Sequence, residues 1–170
     1  QEAAEAKPQA FSDRLRAKRR AIASAIPILS VEAALADIER KPATGRPIVL
    51  LEHADRMNDS THLLRALLGR DVGRVNVPFL LDPETAAQAH AAGEGAEINV
   101  SLAGRTAPAA AGPVEAVARV IWSGPKSFTV SGRYQRGSFV DLGLTALLQI
   151  GAIRVSVVSH FAFAVDGDPF

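Results

Sequence analysis

The stretch IVLLEHADRMNDST, residues 48–61, holds the densest group of side chains able to do chemistry. His53 and Asp55 stand two apart, where extended backbone aims both side chains to one side. An imidazole beside a carboxylate is half of a zinc or manganese site. Asn58, Asp59, Ser60 and Thr61 follow. Such residues hold polar substrates and orient metal ligands from the second layer. They equally satisfy backbone groups in turns and at helix N-caps, with Asp59 or Ser60 capping the next helix and Asp55 fixing the turn. The residues alone leave both readings open. A complete metal site needs more ligands, and no second dense cluster occurs in the chain. Of the other histidines, His62 opens the helix beside this loop, His90 lies within a later helix, and His160 ends the last strand.

The elements that would position this loop are readable on either side of it. The continuous apolar run 48–51 predicts a strand covered on both faces, as in a parallel sheet. A helix is expected over 61–69, with Leu63, Leu64, Leu67 and Leu68 facing inward. In open α/β sheets, ligands gather at strand carboxyl ends and helix N-termini, which is where this loop falls.

Before it, residues 8–26 predict an amphipathic helix, with Phe11, Leu15, Ile22 and Ile26 on one side and Pro27 ending it. Its basic run, Arg14 to Arg20, lies on the other faces; no aromatic side chains interleave for base stacking, so it reads as a solvated surface. Ser30 is an N-cap for a second helix, with Glu32 in the first turn and a stripe of Val31, Ala34, Leu35 and Ile38. The segment KPATGRP follows, so 1–43 is expected to be a helical arm and 44–170 the main α/β domain.

After the loop, 75–81 reads as a strand that Pro78 pushes to an edge or a bulge. Asp82-Pro83-Glu84 is a strong helix start, and that helix ends at Gly93. Residues 97–102 form the next strand. Beyond an Ala/Pro/Gly loop at 104–113 come strand-like runs at 114–122, 127–131, 139–142, 145–150 and 153–159, with Gly151-Ala152 as a hairpin turn. The expected fold is a mixed α/β sheet: a βαβαβ first half, then an antiparallel meander, preceded by the helical arm.

Composition narrows the function. Nineteen basic and eighteen acidic residues leave a net charge of +1, so no global field draws the chain to nucleic acid or anionic lipid. There is no Cys, hence no disulfide, thiolate metal site or Cys nucleophile. No signal peptide or membrane span is visible, and a soluble cytoplasmic protein is expected. A G-x-S-x-G elbow is absent. Gly124-Pro125-Lys126-Ser127 lacks the upstream glycine of a phosphate loop, and Gly93-Glu94-Gly95 follows a helix, the wrong context for a dinucleotide fingerprint.

Three blocks carry a resemblance: PIVLLEHADRMNDSTHLLRALL, VPFLLDPETAAQAHAAGEGAEINVSLAG and RGSFVDLGLTALLQIGAIRVSVVS. In order and spacing the chain resembles the C-terminal region of the microcystinase C-like metallopeptidase family. The segment SVEAALADIE is similar to the part that joins that family's two regions. The resemblance implies a zinc-dependent peptide or amide hydrolase whose His, Asp and Glu metal ligands belong to an N-terminal region outside this chain. That region and a peptide-like substrate are the implied partners, with no nucleic acid and no membrane; a homo-oligomer is compatible.

In that family, the corresponding loop runs from Asp-Asn-Pro-Gly-Gly-Gly to Gly-Asp-Ser/Thr and resembles an active-site wall. Asp55 matches the first aspartate and Asp59-Ser60 the closing pair; the glycine run is missing here, and family members continue past Phe170. Asp55 is thus the implied catalytic residue, orienting a metal ligand, water or substrate. His53, Asn58, Asp59, Ser60 and Thr61 are implied at the substrate, Asn58 as a hydrogen-bonding group. No complete metal site is expected within the chain. The rival reading, favoured by the altered loop, is a non-catalytic binding or assembly module.

Overall fold

The computed structural model describes residues 2–25, 28–41, 45–52 and 58–162. His53 and Asp55 lie outside the described residues. Four helices precede or punctuate one five-stranded sheet: α1 Glu2–Ser24, α2 Val31–Arg40, α3 His62–Leu67, β1 Val75–Leu81, α4 Pro83–Ala92, β2 Glu97–Leu102, β3 Val114–Thr129, β4 Phe139–Ile150 and β5 Ile153–Val158. A 3-10 turn spans Pro108–Ala110.

The fold is mixed α/β, with N-terminal helices and an antiparallel meander, as the sequence predicts. The strand order is β1-β5-β4-β3-β2. Only β1 and β5 run parallel; β5–β4, β4–β3 and β3–β2 are antiparallel. The successive strands β1 and β2 therefore occupy opposite edges. The sheet curls enough that Asp82, directly after β1, accepts the Ala103 N–H, directly after β2, at 2.8 Å.

The first strand of the expected βαβαβ run is not formed. Residues 45–52 carry no strand, and Val49 and Leu51 are 82% and 89% exposed. Only Leu50 packs against the core. A short apolar run cannot by itself distinguish a core strand from another apolar segment. The β1 edge of the sheet resists extension: β1 contains Pro78, which has no N–H, and its ladder shifts register between Val77 and Leu80.

Elsewhere local chemistry and structure agree. Ser30 caps α2 by accepting the Ala33 N–H, and Leu35 of α2 is fully buried in the main core. Asp82 caps α4 with Pro83 at the first position, and Gly93 closes it at φ 84°. α1 runs through Pro8 to Glu2 instead of starting at residue 8, and its Phe11, Leu15 and Ile22 are exposed.

Two strand pairs expected in the meander are each continuous. Residues 114–122 and 127–131 merge largely into β3, across Gly124-Pro125, because β4 pairs along the whole length and the irregularities are absorbed at Val120/Trp122 and Lys126/Ser127. Residues 139–142 and 145–150 merge into β4 through Gly143. Gly143 has φ 65°, and a Cβ there would lie 2.3 Å from Ser159 Oγ, so glycine lets the strand pass beneath the end of β5.

The inward face of the sheet packs against the helices. Ala118, Val120, Ala146, Leu148, Val155 and Val157 meet Ala86 and Ala89 of α4, Leu64 and Leu67 of α3, and Leu35. Small alanines on α4 let the helix lie close to the strands, so aliphatic side chains fill the core without many aromatics.

Candidate functional site

The described part of the loop, residues 58–61, sits where β1 ends. Asn58 adopts φ 54°, a left-handed conformation that asparagine tolerates. Its carbonyl accepts the Leu81 N–H at 2.7 Å, and its amide Nδ2 donates to the Ala162 carbonyl at 2.7 Å. One residue thereby ties the end of β1 to the segment after β5.

Asp59 is 2% exposed. Its Oδ1 accepts the Arg105 N–H at 3.2 Å; its Oδ2 accepts the Thr106 N–H at 2.7 Å and the Thr106 hydroxyl at 2.6 Å. Its carbonyl also accepts the Gly104 N–H at 2.9 Å. Burial pushes the carboxyl pKa up, but the hydroxyl and N–H donors of Thr106, with the N–H groups of Arg105 and Gly104, outweigh it. The net pKa lies below the ordinary aspartate range. Of the two residues expected to cap the following helix, Asp59 grips the turn 104–106 with its carboxylate, and Ser60 Oγ accepts the His62 N–H at 3.5 Å; Thr61 occupies the N-cap of α3 without a capping side-chain bond.

Ser60 donates its hydroxyl to the Glu52 carboxylate and lies 3.5 Å from the His62 N–H. Thr61 is fully buried. Its hydroxyl is within bonding distance of the carbonyls of Ala110 (3.0 Å) and Gly112 (2.6 Å), and its N–H donates to Ala110. His62 Nε2 reaches the Ala109 carbonyl at 3.0 Å, and Arg65 donates to the carbonyls of Ala111, Gly112 and Pro113. Residues 58–65 and 104–113 are thus bonded along their length. Gly104 makes that possible: at φ 71° it lies so close to the other end of its own loop that a Cβ would be 2.2 Å from the Gly112 carbonyl oxygen.

A second buried carboxylate supports the same loop. Asp82 is 1% exposed and accepts from the Thr85 N–H, the Thr85 hydroxyl and the Ala103 N–H. Arg105 Nη1 completes the set at 3.3 Å, and Arg105 also donates to the Ser101 carbonyl. Sequence reasoning reads Asp82 only as a helix cap and passes over Arg65, Arg105 and Thr106. No local spacing pairs residue 59 with residue 106, so the sequence carries no signal for this contact.

Asn58, Asp59, Ser60 and Thr61 are therefore brought together, with Asn58, Asp59 and Thr61 held mainly by backbone partners. His90 stands apart beside Ser123, and His160 Nδ1 lies 3.3 Å from Asp141 at the surface. Among the described residues, no three His, Asp or Glu side chains converge as metal ligands. Also among the described residues, no helix is long and apolar enough to cross a membrane.

Comparison with known proteins matches this architecture. No curated protein matches the chain. A solved structure of a candidate metallopeptidase from Mesorhizobium sp. BNC1 is similar, with TM-score 0.67 and 26% sequence identity. The similarity covers 81% of this chain and 28% of that one, so the chain spans well under half of that neighbour's length. The family described as MlrC C-terminus matches residues 57–170, which include the anchored loop, α3, α4 and the whole sheet. The chain belongs to the MlrC C-terminus family.

Proposed function

We propose that this chain is the C-terminal domain of a metal-dependent peptide or amide hydrolase, and that it supplies a wall of the active site without the main metal ligands. The observation that carries this reading is the anchorage of residues 58–61 by Asp59 and Thr61 against the 104–113 turn, within a chain of the MlrC C-terminus family. A wall loop needs a fixed base, because catalysis gains from groups held in place before substrate arrives. The metallopeptidase character of the Mesorhizobium neighbour supports the reaction class.

In this reading, 1–43 is a helical arm leading to an N-terminal metal-binding region, and 44–170 is the domain that closes against it. Zinc held by that region would lower the pKa of its water to about 7 and make it a nucleophile at neutral pH. Asp55 would orient a metal ligand, the water or the peptide-like substrate, and His53 would face the substrate. The nearby Asn58, Ser60 and Thr61 would line or support the wall. Asp59 is assigned as a positioning residue, since its carboxylate binds the 104–106 turn. The protein is expected to work in the cytoplasm.

The test joins the chain to a metal-binding region of the family and follows hydrolysis of a peptide panel. Asp55→Asn is expected to lower kcat about a hundredfold, on the scale of a lost general acid–base contribution. Unchanged hydrolysis by Asp55→Asn would remove the wall assignment and leave a binding or assembly module.

A further inference from the structure

The sheet face turned away from α4 carries a groove of about 630 Å³. Its floor follows from the pairing register. Trp122 of β3 sits opposite Leu147 of β4, which sits opposite Ser156 of β5. One step along, Gln149 faces Arg154, which pairs with Asn76 on β1. Arg74, just before β1, also lines the groove. Lys126 closes the other side, its ammonium 5.6 Å from the Trp122 ring centre. The ring lies over Gly124, where a Cβ would come within 3.2 Å of it, so glycine lets the indole lie flat against the strand.

Arg74, Lys126 and Arg154 line this groove, and among the described residues no acidic side chain does. Among the described residues, neither Arg74 nor Arg154 has a carboxylate partner. Like charges gathered around one depression raise the local potential and favour an anion. The volume falls in the range of a ligand pocket, roughly 300–1,000 Å³, and far exceeds what one inorganic anion fills. Trp122 and Leu147 offer apolar surface between the cations, while Asn76 and Gln149 offer amide donors and acceptors.

We propose that this outer-face groove binds a short peptide carrying at least two carboxylates, with its acidic side chains on Arg74, Arg154 and Lys126 and its apolar side chains on Trp122 and Leu147. Arginine is suited to the role because its planar fork meets a carboxylate through two parallel hydrogen bonds. The proposal goes beyond the hydrolase reading and does not need it.

Trp122 is the single tryptophan of the chain, so its fluorescence reports the groove directly. The 170-residue chain is titrated with acetyl-Glu-Leu-Glu-Leu-amide, with the same peptide bearing Lys for Glu, and with inorganic phosphate. The acidic peptide is expected to change the emission saturably, and the response should weaken with salt. The double variant Arg74→Glu, Arg154→Glu should weaken binding about tenfold or more, as expected when attraction becomes repulsion. Circular dichroism checks its fold, and Arg154→Gln provides the milder variant, with an expected loss of about threefold. No saturable change with the acidic peptide overturns the proposal, as does an equal response to the lysine peptide. Tight binding of phosphate alone, with no gain from the peptide, also overturns it in favour of a simple anion site. Because the readout is binding and not hydrolysis, its failure is separate from failure of the hydrolase reading.

Discussion

Residues 48–51 and residues 58–61 exchange the places that hydropathy assigns them. The first run is apolar, yet Val49 and Leu51 stand almost fully exposed; the second is polar, yet Asp59 and Thr61 are buried. The difference is one of available partners. The core already has its strands, and Pro78 with its bulge makes the β1 edge a poor template. The polar segment, by contrast, meets a loop whose N–H and C=O groups would be orphaned if buried alone. Each side satisfies the other, and a buried polar group with its bonds made is inexpensive while one left unmade is not.

Closing the gap that lets the two loops meet is the most severe change. Gly104→Ala puts a Cβ against the Gly112 carbonyl on a left-handed backbone, and a loss of about 4 kcal/mol in urea-unfolding stability is expected. A loss of less than about 1 kcal/mol would mean that the turn can move apart freely. Asp59→Ala comes next. It strands the N–H groups of Arg105 and Thr106 in a buried position, at an expected cost of about 3 kcal/mol by the same assay.

A milder change, Asp59→Asn, acts through pH. The Asp59 pKa is depressed in the folded state, so its contribution is fully present above the unfolded value of about 3.9 and is lost as pH falls through the folded value. The wild-type chain should therefore lose stability more steeply than Asp59→Asn as pH drops below about 4. Parallel acid limbs in denaturant melts would show that this carboxylate is not linked to folding.

The smallest effect is expected on the apolar side. Val49→Ser with Leu51→Ser should shift the stability of the chain by no more than about 0.5 kcal/mol, as surface substitutions do. A loss of several kcal/mol would place the run in a core that the exposed geometry lacks.

These contrasts mark what the sequence could and could not say. Ser30, Asp82-Pro83-Glu84, Gly93 and the Gly151 turn act on backbone groups within four residues of themselves, so their roles are readable from spacing alone. Pro78 likewise announces an edge or a bulge, and β1 has both. The bonds that fix the candidate site span much longer separations: 47 residues from Asp59 to Thr106, and 23 from Asp82 to Arg105. No periodicity encodes them. Gly124-Pro125 and Gly143 carry the local signature of turns, but the β3–β4 ladder runs on through all three positions, and its length outweighs the preference of a single residue.

The proposed hydrolase domain would border a metal centre without owning it. Equilibrium dialysis of the 170-residue chain against zinc, followed by elemental analysis, tests this most directly. The chain alone is expected to retain well under one equivalent, and to be present with a full equivalent only when joined to a family metal-binding region. One tightly held zinc per isolated chain would contradict it.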